Sequence, residues 1–205
     1  MKHLNSLIFF FVILLASCNG GEPPLPYTYN ANPKYTWGYA EYFGKEYITY
    51  GINSNIFSLS LFSDSLSIDS TGSLIGTGQY LFLEDIYVAS AETFLPEGTY
   101  KIDTTGLSLT VSPGKNDTVD AEIFPIGATI SYYEENTSKS KLKFITEGTF
   151  TVTKSNGNYT VVCNLKTDDK KELKGSFSAK LPHIDESLQI QRSSPRKLIH
   201  RISNF

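Results

Sequence analysis

Helical periodicity is the first thing this sequence lacks. No stretch sustains apolar residues at i, i+3, i+4 and i+7 over three turns, so a helical bundle and an α/β fold are both excluded. Histidine is nearly missing too: His3, His183 and His200 are all that the 205 residues contain. A Ser-His-Asp triad needs a well-placed histidine, and a zinc site draws three or four ligands from His and Cys. With two cysteines beside those histidines, neither is expected. No glycine-rich loop leads a strand into a helix to hold phosphate. The chain therefore reads as non-catalytic, with no cofactor and no metal. Acids that lie apart in sequence could still meet in space as a glycosidase pair, which sequence cannot test. Basic charge is also short. Lys and Arg number 18 against 21 Asp and Glu, for a net charge of -3. Four of the 18 basic residues, Arg192, Arg196, Lys197 and Arg201, sit in the last nineteen residues, which hold no acid. The body is thus acidic, which argues against a nucleic-acid partner.

Long apolar runs are scarce, and the one at the start is short. Leu7–Leu15 (LIFFFVILL) covers nine residues after Lys2 and His3 and before the small Ala16 and Ser17. As a helix it would reach about 13 Å, against a hydrocarbon core of roughly 30 Å. It has the layout of a secretory signal rather than of a membrane span. Leu15-Ala16-Ser17-Cys18 resembles the lipobox of bacterial lipoproteins. That resemblance implies a signal peptide over 1–17, a diacylglycerol thioether on Cys18 and added acyl chains. Two or three chains hold a protein on a membrane where one would not, at about 0.8 kcal/mol per buried methylene. Asn19 is not the aspartate that retains such proteins at the inner membrane, so the outer membrane is expected, on its surface or periplasmic face. Residues 18–34 read as the lipidated cysteine and a tether, since Asn19–Pro33 carries four prolines and two glycines. Cys163, left without a partner, is expected as a buried small hydrophobe on one strand face with Tyr159, Val161 and Leu165.

What the chain has in abundance is alternation. Phe57, Leu59 and Leu61 alternate with serines; Phe150 and Val152 alternate with Thr149, Thr151 and Thr153. Asn156-Gly157 between FTVTK and YTVVCNL is the strongest hairpin signal, because a type I′ turn needs positive φ at both centres. Nine or ten strands at regular spacing predict an all-β domain over 35–183. The expected form is a single antiparallel β-sandwich of the Ig-like or jelly-roll kind. Residues 184–205 read as a basic tail. Two segments, Leu95–Ile102 and Ile145–Val152, share an apolar-x-Glu-Gly-Thr-aromatic-x-aliphatic pattern. They are read as turns feeding strands, with the aromatic residue entering the core.

Two features point toward function. Nine aromatic rings lie between Tyr27 and Tyr50, including the single Trp. Tyr35, Trp37 and Tyr39 would share one strand face, and with Tyr42 and Tyr47 they could form a platform for sugar rings. The same residues could instead pack the core, as the lone Trp of a small β-domain often does. The second feature is four Asp-Ser/Thr triplets, beginning at Asp64, Asp69, Asp103 and Asp117. They resemble the O-glycosylation sequon of Bacteroidota, which would place sugar on Ser65, Ser70, Thr104 and Thr118. Together with the lipobox, the Tyr-rich start and the Asn-Gly hairpin, the chain resembles the small β-sandwich outer-membrane lipoproteins of that phylum. Many of these have no assigned activity. The resemblance implies a lipid-anchored, non-catalytic envelope protein that binds carbohydrate through its aromatic-rich N-terminal region. The alternative is a structural or assembly module, fimbrial-like or bound to another envelope protein.

Overall fold

The structure, a computed structural model, describes residues 28–188 apart from 64, 120 and 136–138. The signal segment, Cys18, most of the tether and most of the basic tail lie outside the described residues. The strands run in the order β1 (Lys34–Gly44), β2 (Asn55–Ser63), β3 (Ser67–Ile68), β4 (Leu74–Ile75) and β5 (Thr77–Val88). They continue with β6 (Gly98–Ile102), β7 (Thr110–Val111), β8 (Lys115–Val119), β9 (Glu122–Ile126) and β10 (Thr129–Glu134). The last are β11 (Lys139–Ser155), β12 (Asn158–Thr167), β13 (Glu172–Leu173), β14 (Ser176–Ala179) and β15 (His183–Asp185). No α-helix occurs among the described residues; Ile48–Tyr50 forms a 3-10 turn. The all-β expectation holds.

Eleven strands form one mixed sheet, while β3–β4 and β8–β9 make two separate ladders. The large sheet closes on itself. Pairing passes from β5 to β2, β1, β14, β12, β11 and β10, and β10 returns to β5. Closure removes the open edges that would otherwise pair with other chains. The expected purely antiparallel arrangement does not hold, because β1 runs parallel to β14 and β15, and β6 runs parallel to β7. The first and last strands lie side by side in the same direction, so the chain enters beside Lys34 and leaves beside Tyr42. The excess over nine or ten strands comes mostly from two-residue strands, which are too short to show a period in sequence.

The alternating residues fill the ring. Phe57, Leu59, Leu61, Leu81, Leu83, Val152, Val161 and Leu165 are all buried in one core cluster. Cys163 is buried there too, and burial pushes its thiol up to about 12, as suits an inert small hydrophobe. The Asn-Gly turn is present: Asn156 and Gly157 have φ of 51° and 77°, and Ser155 pairs with Asn158 across it. The two echoed segments are neighbours. Tyr100 of β6 lies opposite Phe150 of β11, with ring centroids 4.7 Å apart and planes within 4°. The shared pattern thus makes one cross-strand aromatic pair in the core. Gly148 is required where β11 bends: φ is +113°, and a Cβ would sit 2.3 Å from the Asn164 carbonyl.

Candidate functional site

The five aromatic residues expected to form a platform do not share a surface. A β-bulge between Tyr35 and Trp37 shifts the register of β1 against β2. The extra residue reverses which side the residues from Trp37 to Tyr42 face. Tyr35 is therefore buried in the main core, and Trp37 and Tyr39 lie on the outer side. There Trp37 stacks on Phe62 at 3.9 Å, and Phe62 stacks on Tyr80 at 4.5 Å. Leu66, with Ile68 of β3 and Leu74 of β4, packs into this second cluster. The indole N–H of Trp37 donates to the Leu66 carbonyl at 2.7 Å. One face of the indole and its only donor are already used, so Trp37 is packed rather than presented. Tyr42 packs on the Phe57 and His183 rings. Burial raises the phenols of Tyr39 and Tyr42 above their ordinary range.

Tyr47, of the five, lines a cleft. The cleft holds about 240 Å³ and is bounded by Tyr47, Tyr50, Ile52, Glu84, Asp85, Tyr87, Asp117 and Ile126. Its floor comes from a second bulge. Phe57 pairs with Ile86 and Leu59 with Leu83, so Glu84 and Asp85 together face Ser58 alone. Regular alternation would turn one of the two acids into the core. The extra residue lets Leu83 and Ile86 both stay fully buried while the acids turn outward. Asp85 takes the left-handed backbone needed there, at φ 54°, which Asp tolerates better than most residues.

The walls come from distant parts of the chain. After β1, Gly51 at φ 82° closes the Ile48–Tyr50 turn, bringing Tyr47 and Tyr50 within 6.3 Å, edge to face. The Tyr47 hydroxyl donates to Asp85 Oδ1 at 2.6 Å. Glu84 Oε2 accepts from the Gly127 N–H at 2.8 Å, just after β9. The β8–β9 ladder supplies Asp117 and Ile126. Burial raises the Asp85 carboxyl to about 6, outweighing the bonds from Tyr47 and Ser112 that lower it. Burial and then the Asp85 charge raise Tyr47 far above the phenol range, and push Tyr87 up to about 12. Tyr87 and Ser112 share a hydroxyl hydrogen bond of 3.3 Å. Among the described residues, no three His, Cys, Asp or Glu side chains gather closely enough to hold a metal.

Sequence reasoning passed over Glu84, Asp85 and Tyr87, and read Asp117 only as the start of an O-glycosylation triplet. A signal for two of them was there: Leu83-Glu84-Asp85-Ile86 puts two adjacent acids inside an apolar strand, which only a bulge resolves. The O-glycosylation candidates Ser65, Ser70, Thr104 and Thr118 are all exposed. Asp69 accepts from the N–H groups of Thr71 and Ser73, and Asp103 from that of Thr105, so these acids also close turns. Comparison with known proteins finds no family model, no curated protein and no solved structure that matches this chain.

Proposed function

We propose that this protein is a lipid-anchored, non-catalytic envelope protein, held in the outer membrane through Cys18, that binds carbohydrate in the cleft around Tyr47 and Tyr50. The observation that carries the reading is that cleft: three phenol rings and three carboxyl groups around about 240 Å³. Sugar rings present apolar faces to aromatic side chains and hydroxyls to carboxylates. The volume falls below the roughly 300–1,000 Å³ of a drug-sized pocket, which suits one ring of a glycan rather than several. Tyr50, at 70% exposure, offers its ring to solvent at the rim. The lipid anchor rests on the lipobox. We take the closed sheet as a sandwich made by one sheet folding over itself. What supports this is that Leu59, Leu83, Phe150 and Val161, from separate strands, belong to one buried cluster.

The test is retardation of the purified protein in native gels cast with individual polysaccharides. One glycan is expected to retard it, and Tyr50→Ala is expected to abolish the retardation with an unchanged melting temperature. Retardation that survives Tyr50→Ala would move the binding surface elsewhere. No retardation by any glycan, with co-purification of another envelope protein, would replace this reading with an assembly module. Cys18→Ala is expected to release the protein from the membrane fraction; retention there would remove the anchor.

A further inference from the structure

The groups facing the cleft are unequal in kind. Carboxyl groups arrive from two separate elements, Glu84 and Asp85 from β5 and Asp117 from β8. None of the described residues lining the cleft is Lys, Arg or His. Of the hydroxyls at the cleft, Tyr47 donates to Asp85, Tyr87 is hydrogen-bonded to Ser112, and Tyr50 stands at the rim. What the cleft offers a ligand is therefore mostly acceptors and negative charge. Acids alone would select nothing. Here they stand in a concave cleft walled by Tyr47, Tyr50 and Tyr87, whose ring faces carry a quadrupole that attracts cations. A group that satisfies both acceptors and rings is an ammonium held on a compact ring.

We propose that this cleft selects glycans with protonated amino groups, such as glucosamine units, over neutral, N-acetylated or uronic ones. The proposal rests on the carbohydrate reading above. An N-acetyl group removes the charge and brings a carbonyl, itself an acceptor, against the carboxyl groups of the cleft. A uronate brings like charge against Glu84, Asp85 and Asp117.

Isothermal titration of the purified protein near neutral pH tests it with three probes: a glucosamine oligomer, its N-acetylated counterpart and a galacturonate oligomer. The glucosamine oligomer is expected to bind about tenfold more tightly than the N-acetylated one, the ratio that one well-placed charge contact provides. Galacturonate is expected to give no heat. Asp85→Asn keeps an acceptor for Tyr47, and a melting curve checks its fold; the preference is expected to shrink to about twofold. Equal binding of the amino and N-acetylated oligomers would overturn this inference and leave the carbohydrate reading standing. A preference unchanged by Asp85→Asn would also overturn it, because the amine would then be read elsewhere. No binding by any of the three would count against the carbohydrate reading itself. Competition by spermidine as effective as the glucosamine oligomer would show that charge is recognised without the sugar, and would overturn the glycan part.

Discussion

The outer side of β1, β2 and β5 carries two aromatic regions, and they differ in what each ring touches. In the first, Trp37, Phe62 and Tyr80 stack on one another beneath the β3–β4 hairpin. In the second, Tyr47 and Tyr87 turn their hydroxyls toward Asp85 and Ser112, and Tyr50 is left 70% exposed. The first region has closed its own rings; the second keeps ring faces and carboxyls around an open volume. Aromatic density therefore does not mark a binding surface in this fold. What distinguishes the cleft is a phenol paired with an acid at a bulge.

The largest effect should come from breaking the stacked region. Phe62→Ala removes the ring between Trp37 and Tyr80, and should cost about 3–5 kcal/mol by urea denaturation. Trp37→Ala, at a half-buried position, should cost less, about 2–3 kcal/mol, with glycan affinity intact in the folded fraction. A Trp37→Ala protein that melts like the wild type would mean that the stack does not hold the sheet, and the contrast between the regions would collapse.

A smaller effect sharpens the contrast through pH. The Asp85 carboxyl is raised to about 6 in the fold, above its ordinary value of 3.8. Its neutral form is thus favoured by folding, and that contribution is full below about pH 4 and lost as pH rises toward 6. Asp85→Asn should remove this loss, leaving the variant more stable than the wild type near neutral pH by on the order of 1–2 kcal/mol. Chemical denaturation at a series of pH values reads it; parallel curves for the two proteins would place Asp85 in open solvent. The smallest effect has the opposite sign. Asp169, on the turn after β12, is lowered to about 2 by Lys143 and the Thr167 hydroxyl. Its contribution is present above its ordinary range and lost as pH falls through about 2. Asp169→Asn should flatten only the acid limb of the same profile, and an unchanged limb would show that this exposed pair contributes nothing measurable.

Much of the fold was legible because strand alternation and turn chemistry are local. The run Phe57–Leu61, the Asn156-Gly157 turn and buried Cys163 all lie where local pattern places them. The platform was not legible, because one inserted residue between Tyr35 and Trp37 changes the face of the residues from Trp37 to Tyr42. The cleft was less legible still. Tyr47, Asp85 and Asp117 are far apart in the chain and meet only when the sheet closes.

By itself the sequence determined that this chain builds strands, where its sharpest hairpin turns, and which side chains must leave water. Those outcomes depend on residues a few positions apart. Only the tertiary structure decided that the sheet closes with its first and last strands parallel, that Trp37 stacks on Phe62, and that Tyr47 meets Asp85. Each depends on register between distant strands. A bulge of one residue, worth little locally, reassigns whole faces of the sheet to core or solvent.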